Sequence, residues 1–158
     1  MIPERTQSRQ AAPAWQHELR HAYSRPADLL AYLELDPQLP SLHYEALKDF
    51  PLRVPRGFAA RMAKGDPLDP LFLQVWPQPR EADVVAGYVI DAVGDLHKLR
   101  GGGVIHKYQG RVLVMATGAC AVHCRYCFRR HFPYAEQLAA REHWREALEV
   151  IAGDPSIE

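Results

Sequence analysis

All three cysteines of the chain fall within eight residues, as Cys120-Ala-Val-His-Cys124-Arg-Tyr-Cys127. An odd number of closely packed thiols argues against a disulfide framework, and without secretory features the cluster reads as metal binding. Thiolates at this density select zinc, copper(I) or an iron–sulfur cluster. The spacing discriminates among them. Three residues separate the first pair and two the second, whereas structural zinc is usually built on paired Cys-x-x-Cys knuckles. Three thiolates can ligate three irons of a cubane and leave the fourth iron open to a small molecule. The competing arrangement is a zinc site of three cysteines and one histidine, completed by His123 or His131.

The elements that must position these thiols begin after Gly101-Gly102-Gly103. No Gly-Lys-Ser/Thr follows the glycines, so they predict a flexible connector rather than a phosphate loop. Residues 104–108 and 111–117 are β-type runs separated by Gln109-Gly110, the spacing of a two-residue hairpin turn. Val112-Leu113-Val114-Met115 is apolar throughout, which predicts a strand buried on both faces. That strand feeds the cysteine loop. A helix is expected over 136–152, with Trp144, Ala147, Leu148 and Ile151 on one face, ended by Gly153-Asp154-Pro155. Ile157-Glu158 then reads as the start of another strand. Strand, loop and helix are the unit of a βα barrel, whose sites sit at the C-terminal ends of strands. One unit cannot close a barrel, so the sequence is expected to be the front part of a longer protein.

Upstream, the chain reads as helical with proline punctuation. Helices are expected over 14–23 and 27–35, the second with Leu29, Leu30 and Leu33 on one side and Pro26 near its start. Two more are expected over 41–50 and 55–64, the latter with Phe58 and Met62 four apart and Gly65 as a stop. Asp69-Pro70 opens an apolar run closed by Pro77 and Pro79, which predicts core packing. The organisation expected is a helical region over 1–100 followed by a second region over 101–158.

Composition narrows the function classes. With 47% hydrophobic and 24% charged residues the 158-residue chain has the make-up of a soluble globular protein of about one domain. Its formal net charge of zero gives no global field to recruit nucleic acid or a membrane. The first thirteen residues are polar with no apolar run behind them, unlike a secretory signal. The longest apolar stretch, 112–122, is broken by Thr117 and Gly118 and falls well short of the ~20 residues of a spanning helix. A reducing, cytoplasmic setting is therefore expected for the free thiols.

The cysteine spacing, with the aromatic Tyr126 directly before the last thiol, resembles the signature of the radical S-adenosylmethionine (SAM) superfamily. The longer run Gly103-Val-Ile-His-Lys-Tyr-Gln-Gly-Arg-Val-Leu-Val-Met-Ala-Thr-Gly-Ala-Cys120, continuing through Cys124 and Cys127 to Phe128-Arg-Arg-His-Phe-Pro-Tyr134, resembles the lysine 2,3-aminomutase family. The tail from Cys127 to Tyr134 is most like the branch that makes β-lysine for attachment to elongation factor P. Residues 52–71 are also similar to that branch.

The resemblance implies an α/β protein: a helical N-terminal region, then a β-hairpin and the first βα unit of an incomplete radical-SAM βα barrel. It implies an isomerase that shifts the amino group of L-lysine to give (R)-β-lysine, using a [4Fe–4S] cluster, SAM and pyridoxal phosphate (PLP), with an external electron donor. Elongation factor P would be an indirect partner. By the same resemblance Cys120, Cys124 and Cys127 match the cluster ligands, and Tyr126 the residue whose backbone meets the SAM adenine. Arg129 matches the arginine that pairs with the substrate carboxylate. Lys107, Tyr108 and Arg111 match a basic-aromatic group near the PLP phosphate, where a lysine is weaker than arginine for bidentate binding.

Blander readings accompany each assignment. Arg125, Arg129, Arg130 and His131 form a charge run, which is commonly a solvated face, although a guanidinium beside the cysteine loop suits carboxylate capture. Lys107 and Arg111 flank a turn and could be solvated hairpin charges. His106 and His123 are expected to pack or hydrogen-bond. Past Glu158 the resemblance places the glycine-rich SAM segment, the PLP-anchoring lysine and the acids that read the substrate ε-amino group. Lys48, Lys64, Lys98 and Lys107 match none of these, so the isolated chain is expected to lack turnover. The alternatives are a free-lysine 2,3-aminomutase and, more distantly, a zinc-binding interaction module.

Overall fold

The computed structural model describes residues 14–137 and 144–158. They fall into two compact units: 14–81 with 121–125, and 82–120 with 126–137 and 144–158. The boundary lies ahead of the three glycines, and a five-residue piece of the cysteine loop belongs to the first unit.

The first unit is built of short helices: α1 (Ala14–Arg20), α2 (Pro26–Leu33), α3 (Ala46–Asp49), α4 (Arg56–Ala59) and α5 (Pro70–Leu73). Proline at the first turn starts α2, and Leu29, Leu30 and Leu33 are its buried face, as their spacing predicts. Glu34 ends it in the left-handed region at φ 57°, and the Gly65 amide caps the Leu33 carbonyl at 2.7 Å. These leucines join Leu52, Val54, Ala59, Met62, Phe72, Val75 and Trp76 in one core. Phe72 stacks on Trp76 with centroids 5.3 Å apart.

Two expected helices are much shorter than their periodicity predicts, and tertiary contacts explain why. Over 41–50 only α3 forms. Ahead of it Leu42 is buried, and Tyr44 meets Trp76 edge-on while donating its hydroxyl to the Pro37 carbonyl at 3.0 Å. Over 55–64 the helix stops after α4 because the Ala63 amide donates to Asp69 Oδ2 at 3.0 Å instead of continuing the ladder. The other oxygen, Oδ1, caps α5 by accepting from the Leu71 and Phe72 amides at 2.9 Å each. Burial pushes the Asp69 carboxyl up, but the amides of Ala63, Phe72 and Leu71 together hold it below its ordinary range.

In the second unit β1 (Val104–Tyr108) and β2 (Arg111–Val114) pair antiparallel, Val104 opposite Val114 and Ile105 opposite Leu113, as the hairpin spacing predicts. Gly110 alone is left-handed in the turn, at φ 78°, and the register breaks between Ile105 and Tyr108. A bulge of this kind re-aims side chains, and it falls at His106 and Lys107. The β2 run is not enclosed on both faces: Leu113 is 43% exposed and Val112 half-buried, because among the described residues β1 is its one paired strand. The small core of this unit is Ile105, Met115 and Phe132, with Leu99 and Tyr134 against it.

Helix α6 (Trp144–Gly153) buries Ala147 and leaves Trp144 and Leu148 exposed. Residues 136–137 ahead of it form a turn, and 138–143, within the expected helix, lie outside the described residues. The three glycines are not a loose connector. Gly102 and Gly103 are buried, all three have positive φ, and a Cβ on Gly102 would lie 2.5 Å from the Ala147 backbone nitrogen. Only glycine satisfies both demands. After α6, Ile157 forms a parallel bridge to Gly110, and Asp154 pairs with His106 Nδ1 at 3.1 Å. These contacts tie the end of the helix to the hairpin. No helix among the described residues is long and apolar enough to cross a membrane.

Candidate functional site

The second unit contains a cavity of about 350 Å³, within the range of small-molecule sites. Its floor comes from the hairpin: Ile105 and Lys107 of β1, then Tyr108, Arg111, Val112 and Leu113. Val93 and Asp95 close one side, and Phe128 and Arg129, directly after the last cysteine, close another. Four of the residues matched from sequence therefore share one wall system: Lys107, Tyr108, Arg111 and Arg129. Lys107 is half-buried at this wall, while Arg111 is exposed.

Three cations line this cavity against one carboxylate, a charge balance that favours anions. Arg111 lies over the Tyr108 ring, its guanidinium carbon 5.1 Å from the centroid, and among the described residues it has no carboxylate partner. Arg129 lies over Phe128 at 4.8 Å and donates from Nε to Asp95 Oδ2 at 3.0 Å. The Lys107 ammonium donates to the Val93 carbonyl and lies 3.6 Å from Asp95 Oδ1. Asp95 is 4% exposed. It is the site residue the sequence reading missed.

The cysteine loop divides between the units: Cys124 in the first, Cys120 and Cys127 in the second. None of the three cysteines is in a disulfide; Cys120 is exposed and the other two are half-buried. Tyr126 between them is 74% exposed. Within the first unit the loop is held by backbone bonds, from the His123 amide to the Arg53 carbonyl at 3.0 Å and from the Arg125 amide to Gln74 at 2.8 Å. Arg125 also pairs with Glu81. In the second unit the Arg130 amide donates to the Cys127 carbonyl at 3.1 Å. Burial first, and the neighbouring Cys127 second, push the Tyr134 hydroxyl above its ordinary range.

His123 has the packing role expected of it. It stacks on Phe50, and its Nδ1 lies 2.7 Å from the Pro51 carbonyl. Among the described residues no three His, Cys, Asp or Glu side chains gather as a metal-holding group. The fit to an iron–sulfur cluster therefore rests on donor chemistry: three soft sulfur donors, none in a disulfide, on a short, partly exposed loop. The fit to PLP rests on the cationic, aromatic-lined cavity.

No family model matches the chain. Individual proteins do. The chain is 41% identical over 145 residues to the L-lysine 2,3-aminomutase of Escherichia coli, covering 91% of this chain and 42% of the relative. It is 42% identical over 144 residues to the L-lysine 2,3-aminomutase of Haemophilus influenzae, covering 91% and 43%. The enzyme of that name from Buchnera aphidicola is 37% identical over 144 residues, covering 90% and 42%. The chain thus spans about two-fifths of the length of these curated relatives.

Proposed function

The chain belongs to the lysine 2,3-aminomutase family, and from that premise we propose that it supplies the cluster thiols and the anion-binding wall of a radical SAM aminomutase converting L-lysine to (R)-β-lysine. The observation that carries the reading is the single cavity lined by Lys107, Tyr108, Arg111 and Arg129.

In this reading Cys120, Cys124 and Cys127 hold a [4Fe–4S] cluster, and the backbone at Tyr126 meets the SAM adenine. Lys107, Tyr108 and Arg111 hold the PLP phosphate. When bound, the cluster with SAM would supply radical chemistry, and PLP would hold the substrate amino group. Arg129 offers its guanidinium edge to the lysine carboxylate in the paired geometry that a planar fork allows. Phe128 and Val112 supply apolar surface to the same cavity. The hairpin, the cysteine loop and α6 form the opening part of a βα barrel. The tail from Cys127 to Tyr134 favours β-lysine destined for elongation factor P over free β-lysine. Cysteines outside any disulfide and an external reductant suit a cytoplasmic setting.

Anaerobic reconstitution of the chain, followed by iron, sulfide and zinc analysis, tests the cluster assignment. The expected result is an oxygen-labile [4Fe–4S] cluster that fails to form when Cys120, Cys124 or Cys127 is changed to Ser. Stoichiometric zinc that survives air, with no sulfide, would overturn it.

A further inference from the structure

We propose that Asp95 is a positioning residue for the cavity, a buried carboxylate that fixes the direction of the Arg129 guanidinium and restrains the Lys107 ammonium. The inference rests on the anion-site reading above and adds to it the group that shapes the site's selectivity.

A carboxylate at 4% exposure must be paired, or its desolvation is prohibitive. Asp95 is paired with two cations from different elements. Arg129 Nε donates to Oδ2 at 3.0 Å, and the Lys107 Nζ stands 3.6 Å from Oδ1. The residue is itself clamped: Asp91 accepts from the Asp95 amide at 3.0 Å and from the Leu96 amide at 2.8 Å. Its carboxylate is therefore a fixed point.

The consequences differ for the two cations. Guanidinium donors lie in a rigid plane. Holding Nε sets the direction of the two Nη groups, which have no hydrogen-bond partner among the described residues. Arg129 is thereby presented as a fork suited to a carboxylate. Lys107 is a compact charge on a flexible stem, and Asp95 together with the Val93 carbonyl draws it back from the cavity. Asp95 thus favours an oriented carboxylate at Arg129 and weakens indiscriminate anion capture at Lys107.

Asp95→Asn keeps the shape and removes the charge. The 158-residue chain is titrated with inorganic phosphate and with formate at matched ionic strength, and the Arg129 Nε–H is followed by ¹⁵N NMR. In the unaltered chain this resonance is expected to be resolved and protected from solvent exchange. In Asp95→Asn its exchange should quicken about tenfold or more. Formate affinity should fall about tenfold while phosphate affinity holds or rises, since a charge-assisted bond is lost but the cavity gains positive charge. A merely structural Asp95 would weaken both anions together with stability and leave the exchange rate alone, and that result overturns the proposal, as do unchanged affinities. If Asp95→Asn does not fold, the unaltered chain decides: an Arg129 Nε–H that exchanges as fast as a solvated arginine refutes the restraint. If the unaltered chain binds neither anion, the anion-site reading fails, while the exchange comparison still judges Asp95.

Discussion

Gly118 sits under the ring of Tyr134: a Cβ at 118 would approach the Tyr134 Cδ1 and Cγ to 2.9 Å and its Cβ to 3.2 Å. The obstructing atoms are the root of the ring, which packs on Phe132 with centroids 4.9 Å apart and cannot swing away cheaply. Gly118→Ala is therefore expected to destabilise the second unit by about 1–3 kcal/mol and to lower cluster loading two residues downstream. Gly57 within α4 has nothing within 4 Å of its added Cβ and no positive φ. Gly57→Ala should stabilise by about 0.5–1 kcal/mol. Chemical denaturation of the two variants separates these signs, and equal effects would discredit the contact at 118.

Acid should loosen the first unit through Asp69. Its folded-state pKa is depressed, so its contribution is fully present above the ordinary aspartate value of 3.8 and is lost as pH falls through the lower folded value. Asp69→Asn can still accept at one oxygen but presents an amide to the Ala63 N–H. It should cost about 1–3 kcal/mol near neutrality. The difference between variant and unaltered chain should shrink below about pH 4. Denaturation midpoints measured from neutral to acid pH would expose the error if that gap stayed constant.

Some of this was legible in the residues and some was not, for identifiable reasons. The hairpin follows from Gln109-Gly110 between two apolar runs, and α2 from Pro26 with Leu29, Leu30 and Leu33. Local pattern settles both. Helix lengths after Ser41 and Pro55 were misjudged because Tyr44 and Asp69 take their partners from elsewhere in the chain. The glycines at 101–103 gave no hint that Ala147 packs against them, since nothing in a glycine names its neighbour. Asp95 carried no signal either. It lies in a stretch without periodicity, and its partner Arg129 is 34 residues away. The cysteines were readable as a donor set because spacing is itself a sequence property, whereas the cavity at Lys107 depends on a bulge in the register.

Arg111 and Lys107 should contribute unequally to phosphate binding. Lys107 is engaged by the Val93 carbonyl and Asp95, while Arg111 has no carboxylate partner among the described residues. Replacing Arg111 by Gln removes a planar fork and a full charge, worth about 1.5–3 kcal/mol, or roughly ten- to a hundredfold in PLP affinity. Lys107→Gln should cost less than Arg111→Gln, and both losses should narrow as salt is raised. Fluorescence titration with PLP ranks the two, and a larger loss at Lys107 would contradict the pairing pattern.

The 158-residue polypeptide should bind PLP without covalent attachment and should not turn over. Covalent anchoring needs a lysine amine at the cavity. Lys48 is paired with Glu45 at 2.5 Å and Lys64 with Glu34 at 2.7 Å, neither at the cavity wall. Lys98 does not line the cavity either, and Lys107, which does, has its Nζ drawn to the Val93 carbonyl and Asp95. The chain also covers only about two-fifths of the length of the relatives it matches. Borohydride treatment of the PLP-loaded chain should leave no single lysine modified, as read by peptide mass spectrometry. With reconstituted cluster, SAM, PLP, reductant and L-lysine under anaerobic conditions, β-lysine should not rise above a control in which Cys124 is changed to Ala. Turnover well above that control, together with one reduced adduct at Lys107, would show that this lysine anchors the cofactor and that its contacts with Val93 and Asp95 are broken on binding.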